Sequence, residues 1–501
     1  MMGLEIEAPA RRGHGAPVRS LPPVRQLETM TRQAAPDSKP VVLTVAGSDS
    51  GGGAGIQADL KTIETCGGFG TSAVTSVTAQ NTAGVESTHV LPVEEIDAQY
   101  SAVLSDFDVA AVKTGMLATA DVVELVTDRV ADLDAPAVVD PVMVAASGDR
   151  LLAREAESAY ESLVSEATLV TPNADEAAVL TDVDPADEAT AREAGERLVG
   201  MGADAALVTG GHIGDDAVVD VLVTGDSVET FRHPRVDTAA THGSGCALSS
   251  AIATHLARDA DLPAAVGSGV ELLARAVRYN LDVGEGPGAV HHLVELRDEA
   301  ARDSTAEAVR RVVDAFEDRD VGPLVPEVGT NVAGATPYAE RPDEAAAVEG
   351  RITRTLSGAR ANRGVRFGAS TYVARAVLAA REVDAGIRFG ANVRYDGGVK
   401  RTFDAAGIPV AAFDRDEVGA AGGDDASDAD TGGTDGDGKL STARGVQRAV
   451  TALADAGADV AGEPVAAVDS GAPGEAIAYL LAGGADALVA ATGRVLDELP
   501  D

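Results

Sequence analysis

From residue 41 onward, short runs rich in β-branched residues alternate with longer amphipathic stretches, and that alternation limits the possible folds more than any other feature of the chain. VVLTVA (41–46) is followed by the glycine-rich GSDSGGGAG and by a helical stretch running through Cys66, with Gly67 placed as a C-cap. AVTSVTA (73–79), VAAVK (109–113), AVVD (137–140), TLVT (168–171) and ALVT (205–208) read as further strands, and ADVVELVTDRVADL (120–133) as one of the helices between them. Such alternation predicts an α/β fold with a mainly parallel sheet covered by helices. VVDVLVTG and SVETFRHP predict an antiparallel pair closing the sheet. Helices at about 245–257 and 263–280 complete a first domain, assigned to 39–285. AEAVRRVVDAFEDR belongs to a helical linker, 286–320, and shorter α/β units follow in a smaller second α/β domain, 321–501. The total of 501 residues suits two or three domains at roughly 150 residues each.

Residues 1–38 mix Pro, Arg and Ser without apolar period and read as a disordered tail, within which Met30 is a second candidate start. DRDEVGAAGGDDASDADTGGTDGDG (414–438) is acidic and of low complexity, a solvated loop inside the second domain. It lacks the spacing and terminal Glu of an EF-hand, which argues against a Ca²⁺ loop.

Charge narrows the function classes. Acidic residues outnumber basic ones 80 to 40, and the lysines are only Lys39, Lys61, Lys113, Lys400 and Lys439. Nucleic-acid binding needs a basic face and is not expected. The balance fits a protein kept hydrated in concentrated salt and is read as that of a halophilic cytosol, with an acidic protein of an ordinary cytosol as the alternative. No apolar run reaches the ~18 residues of a membrane span, and no secretory signal pattern opens the chain, so a cytoplasmic protein without membrane attachment is expected. Cys66 and Cys246 make neither a disulfide framework nor a metal cluster.

The chemistry concentrates where glycine-rich turns meet helices. In THGSGCALSSA (241–251) small residues let backbone N–H groups approach an anion, and the following helix aims its N-terminal dipole at the same point. Cys246 lies where a thiol pKa is expected to be lowered; a glycine-rich helix start with a small buried Cys has the same sequence. GSDSGGGAGIQADLKT (47–62) is a second such turn and is not a Walker loop. Asp59, one turn into its helix, is placed either to accept hydrogen bonds from a ligand or simply as a favourable acid near a helix start. Asn173 and Glu176 in TPNADEA read as a capping box, or as organisers of Mg²⁺ and phosphate together with Asp140 at another strand end.

Seven runs then occur in order: GSDSGGGAGIQADLKT, AQNTAGV, KTGML, VVDPVMVAASGD, LVTPNADEA, TGGH and THGSGCALSSA. Together, over roughly 41–285, they resemble the hydroxymethylpyrimidine/phosphomethylpyrimidine kinases of thiamine biosynthesis. That resemblance implies a ribokinase-like three-layer domain using ATP and Mg²⁺. It implies pyrimidine contacts from Gly47, Asp59, Gln80, Met116 and Val142. It also implies an anion hole at Gly243, Ser244, Gly245 and Cys246. Cys246 would accept the substrate's hydroxyl proton or stabilise the transferring phosphoryl group. Nucleotide contacts fall on Asn173 and on Thr209, which stands where the family often has Lys; metal contacts fall on Asp140 and Glu176. Cys66 is assigned to the core, and Lys113 to structure. The reaction implied is phosphorylation of the alcohol and then of its monophosphate, by a homo-oligomer. A pyridoxal-type kinase of the same superfamily, or a purely regulatory protein, are the alternatives.

PLVPEVGTNVAGATPYAERPDEAAAVEGRI (323–352), RGVRFGASTYVARAVLAA (363–380) and FGANVRYDGG (389–398) resemble the archaeal-type thiamine-phosphate synthase domain. Arg351 matches that family's diphosphate-binding Arg, a residue suited to bidentate phosphate recognition. Tyr372 stands where its His is expected, and a phenol does not shuttle protons at neutral pH. DSGAPGEA (469–476) lacks the family's lysine. Two readings remain: a synthase taking thiazole phosphate, or a degenerate module that senses thiamine phosphate.

Overall fold

The computed structural model describes residues 36–143, 156, 158–211, 217–414, 436–471 and 476–499. The chain divides into two units, Met1–Lys39 and Pro40–Asp501. Most of the expected tail (1–35) and of the expected acidic loop (415–435) lie outside the described residues, and a helix, Gly436–Asp455, begins within the loop's expected range.

The first sheet has nine strands: β1 (Val41–Ser48), β2 (Phe69–Asn81), β3 (Gly84–Val90), β4 (Val109–Thr114), β5 (Ala137–Val139), β6 (Leu169–Val170), β7 (Ala205–Val208), β8 (Ala217–Thr224) and β9 (Val228–Pro234). Their order is β3-β2-β1-β4-β5-β6-β7-β8-β9. The run from β2 to β7 is parallel, and β3, β8 and β9 add antiparallel edges. The mainly parallel sheet and its closing β8–β9 pair are therefore as expected. Side chains of β1 alternate between two helical layers, as the pleat dictates. Leu43 and Val45 pack with Val112, Val122, Val126 and Leu163. Val42 packs on the opposite face with Ile63, Leu248, Ile252 and Val266. The helix Ser244–Ala257 buries every residue from Ala247 to Thr254, the mark of a helix enclosed on all sides. No helix among the described residues is long and apolar enough to cross a membrane.

The helix Val294–Asp318 follows, and its Val309, Val312, Val313 and Phe316 lie in one core with residues of a second sheet. That part of the chain comprises β10 (Val332–Ala335), β11 (Ala345–Val348), β12 (Ile352–Thr355), β13 (Gly358–Ala361), β14 (Val365–Phe367), β15 (Phe389–Arg394), β16 (Val410–Phe413), β17 (Val465–Asp469) and β18 (Ile477–Ala482). Seven of these form the sheet β14-β11-β10-β15-β18-β17-β16, and β12 and β13 form a separate hairpin. Only β16 and β17 pair in parallel. Val332 faces one helical layer and Ala333 the other, so this part too is a sheet between helices.

The two sheeted parts meet along the helix Leu262–Arg278. Arg275 Nη2 donates to Glu344 Oε2 at 2.7 Å and to the Tyr338 carbonyl at 2.9 Å, and Arg275 and Glu344 are both buried. Arg278 pairs with Glu382 at 2.6 Å.

Candidate functional site

The residues singled out in the first part gather at the carboxyl ends of its parallel strands, where ligands of open α/β sheets bind. Gly47 lies at the end of β1, Met116 beyond β4, Asp140 beyond β5, Asn173 beyond β6 and Thr209 beyond β7. Two glycine-rich turns face each other above them. Gly243 has φ +85, and a Cβ there would lie 1.9 Å from the Gly53 carbonyl oxygen and 3.0 Å from His292 Nε2. Only glycine permits that approach.

Asp49 organises the first turn. Its Oδ2 accepts N–H groups from Gly53 (2.9 Å) and Ala54 (2.8 Å), and its Oδ1 accepts that of Gly51 (2.8 Å). His242 Nε2, from the second turn, stands 3.1 Å from Asp49 Oδ2. Burial opposes the charge of Asp49, but the His242 ring and the turn amides outweigh it and hold the carboxyl below its ordinary range. Gln80 Nε2 lies 3.5 Å from the same His242 nitrogen, so a polar chain runs Gln80–His242–Asp49 across the mouth.

Cys246 sits in the first turn of its helix, half-buried, above a cluster of buried charges. Its thiol is pushed up to about 12 by burial; Lys113 and the Gly55 N–H oppose the rise, while Asp59 and Asp140 add to it. The expected lowering is thus overturned: desolvation and two carboxylates outweigh the helix amides.

Asp59 lies deeper than the two turns. It is fully buried and accepts hydrogen bonds from Thr44 Oγ1 (2.6 Å), Lys113 Nζ (2.8 Å) and Ser250 Oγ (2.9 Å). It faces Lys113 beneath the mouth, bonded within the protein. Lys113 Nζ also lies 4.0 Å from Asp140 Oδ2, which accepts from Ser249 Oγ at 3.2 Å. Burial pushes the Asp140 carboxyl up to about 6, with Lys113 opposing and Asp59 adding. Lys113 remains an ammonium because its acidic neighbours outweigh its complete burial. The assignment of Lys113 to structure fits this placement, and the structure gives that role content: one cation holds two carboxylates under the anion mouth.

Gly47 lies close to Met116, leaving no room for a side chain: a Cβ there would stand 3.2 Å from Met116 Sδ and 2.6 Å from Ser76 Oγ. Val142 is half-buried beside Asp140, to whose carbonyl its N–H donates at 2.9 Å. Asn173 and Glu176 form the capping box: Asn173 Oδ1 accepts the Glu176 N–H at 2.9 Å, and Glu176 Oε2 accepts the Asn173 N–H at 3.0 Å. Glu176 Oε1 also reaches the Met143 N–H at 3.4 Å. Burial, then the nearby Asp140, pushes the Glu176 carboxyl up to about 8. Among the described residues no group of three or more His, Cys, Asp or Glu side chains could hold a metal. Thr209 bridges Asn173, its N–H donating to the Pro172 carbonyl at 2.9 Å. Residues 144–149 and His212 of the quoted runs lie outside the described residues.

Arg351 is apart from this site. It holds a left-handed φ of +69 beside the β12–β13 hairpin, and its guanidinium donates to the Val328 carbonyl. Cys66 is buried with Ala251 and Leu272, in the core as expected. Asp49, His242, Ser249, Ser250 and His292 escaped the sequence analysis. Asp49 and His242 stood inside quoted motifs read only for their glycines, and an Asp preceding a Gly run is itself a turn signal.

A mainly parallel sheet with glycine-lined turns at its carboxyl edge is an architecture shared by α/β phosphotransferases. Residues 49–291 match the family described as phosphomethylpyrimidine kinase, and residues 308–492 match thiamine-phosphate synthase ThiN. A hydroxymethylpyrimidine/phosphomethylpyrimidine kinase of Streptomyces coelicolor is 49% identical over 264 residues, spanning 52% of this chain and 98% of that protein. The thiamine biosynthesis bifunctional protein ThiED of Geobacter sulfurreducens is 42% identical over 275 residues, 54% of this chain and 56% of that one. An ADP complex of Bacillus subtilis pyridoxal kinase is similar at a TM-score of 0.48, with 32% identity over 52% of this chain and 100% of that chain. The chain belongs to the phosphomethylpyrimidine kinase family, with a ThiN region behind the kinase region.

Proposed function

We propose that the chain transfers the γ-phosphoryl group of ATP to the hydroxymethyl oxygen of 4-amino-5-hydroxymethyl-2-methylpyrimidine, and then a second phosphoryl group to the monophosphate. The observation that carries this reading is the Gly243–Cys246 mouth, closed by Gly53 and faced by the Gln80–His242–Asp49 chain. Phosphoryl transfer needs in-line positioning and neutralisation of spreading charge more than covalent chemistry. The mouth amides supply that charge, while Lys113 holds the two carboxylates beneath them. Cys246 is a thiol at neutral pH, which favours stabilisation of the phosphoryl group over proton acceptance. Gln80 and Met116 are left to hold the pyrimidine, with Gly47 making room. Asp140 raises the proton affinity of Glu176, a strain that a cation carried on the nucleotide would relieve, and Mg²⁺ there would supply further charge neutralisation.

Cys246→Ala is expected to lower phosphate transfer by at least about 100-fold while the urea unfolding midpoint stays near that of the parent. Near-normal turnover would overturn the role. Competition between pyridoxal and the hydroxymethylpyrimidine as acceptor checks the substrate, and preferred use of pyridoxal would sink the assignment.

We assign residues 39–285 to the kinase and 321–501 to the ThiN-type domain, joined through 286–320, in a cytoplasmic, oligomeric protein adapted to concentrated salt. The Arg351 guanidinium is engaged by Val328, and Tyr372 replaces the expected His. These two features favour ligand sensing over synthesis in the second domain. Saturable binding of thiamine phosphate without product from thiazole phosphate and the pyrimidine diphosphate supports it; product formation refutes it.

A further inference from the structure

The back of the anion mouth is built partly by the second sheeted part. Ala247, the residue after Cys246, lies in a buried cluster with Ala276, Val290 and Val294, and the Tyr338 ring packs against that cluster. Tyr338 follows β10. Its ring meets Tyr279 edge-on at 5.2 Å between centroids and His291 edge-on at 5.1 Å. Both of its backbone groups are pinned: the N–H donates to Asp298 Oδ1 at 2.8 Å and the carbonyl accepts from Arg275 at 2.9 Å.

The segment under that ring reaches the mouth directly. The Val290 N–H donates to the His242 carbonyl at 3.2 Å. His292 is 3% exposed, its Nε2 has no hydrogen-bond partner, and that nitrogen lies 3.0 Å from where a Cβ would project from Gly243. Burial, with Lys61, His242 and His291 adding to it and Asp49 opposing, holds the His292 ring down to about 4. Burial and Arg297 hold His291 to about 4 as well, so both rings are neutral packing groups at working pH.

We propose that Tyr338 is a positioning residue for phosphoryl transfer: by packing on His291, the neighbour of the His292 that faces Gly243, and backing Ala247, it makes the kinase mouth complete only when the ThiN-type region is docked. This rests on the reading of the Gly243–Cys246 mouth as the phosphoryl site. Small displacements of such a mouth are felt strongly, because transfer depends on in-line alignment.

The test measures kcat and KM for phosphate transfer to the hydroxymethylpyrimidine by full-length variants. Tyr338→Ala is expected to lower kcat by about 10- to 100-fold, and Tyr338→Phe, which keeps the ring, to restore it. Glu382→Ala breaks the Arg278–Glu382 pair of the same junction away from the mouth and is expected to retain parental constants. Should the alanine variant fail to fold by circular dichroism, Tyr338→Leu keeps apolar bulk without the edge-on ring and is expected to show the same loss. Parental kcat in the Tyr338 variants overturns the inference alone, as does an equal loss in Glu382→Ala, which would mean that the Tyr338 ring has no particular role in positioning the mouth. A parental chain that transfers no phosphate overturns the kinase reading and this inference with it.

Discussion

A thiol in the first turn of a helix is ordinarily acidified by the amides around it, yet Cys246 is pushed up to about 12. The reason is burial first, to which residues remote in sequence, Asp59 and Asp140, folded beneath it by the sheet, add. Asp59 was legible as an acid one turn into a helix; that Lys113, Thr44 and Ser250 would consume its hydrogen-bonding capacity was not, because those partners come from two other strands and another helix. Glu176 gives this scale its prediction. Its folded pKa of about 8 exceeds the ordinary carboxyl value, so the folded state binds the extra proton. Its stabilising contribution is complete below about pH 4.5 and is lost as pH rises to 8. His291 and His292, held to about 4, act oppositely: the unfolded chain binds their protons first, so their contribution grows from pH 4 to about 6.5 and is then constant. Above pH 6.5 the Glu176 effect remains. Urea unfolding of the parent should show stability falling between pH 6.5 and 8, and Glu176→Gln, which preserves the cap, should flatten that fall. An unchanged slope in the variant would remove Glu176 as its source.

At the scale of elements, the strand–helix alternation specified the first sheet well, since parallel strands buried on both faces carry dense apolar runs. β6 shows the limit: two residues suffice there because β5 and β7 fix it from either side. In the second part the same alternation concealed an almost wholly antiparallel sheet, because strand order and direction are set by packing across the sheet and leave no period in the chain. The turn at Gly243 is the element on which the proposed phosphoryl transfer rests. Gly243→Ala would force a left-handed alanine against the Gly53 carbonyl. It should lower unfolding free energy by about 1–3 kcal/mol and phosphate transfer by about 100-fold. Turnover and urea denaturation measured together check this, and unimpaired turnover would show that the mouth tolerates movement.

For the molecule as a whole, the junction between the two sheeted parts was invisible in the sequence, where Arg275 and Glu344 look like ordinary surface charges of an acidic protein. They are instead shut in, at 7% and 5% exposure. Arg275→Met should destabilise the chain by about 3 kcal/mol, since it strips the buried Glu344 of its strongest partner, and Glu344→Gln added to it should recover most of the loss. The loss should be nearly the same at low and at molar KCl, because ions screen exposed pairs and not enclosed ones. Thermal or urea unfolding at both salt concentrations tests it; a loss that vanishes in molar KCl would mean that the pair is hydrated. Were such a gene ever split into two open reading frames, each product would inherit half of a severed charge couple. Each half would hold its charge in water while apart, and burying the two again on reassociation would have to repay their desolvation.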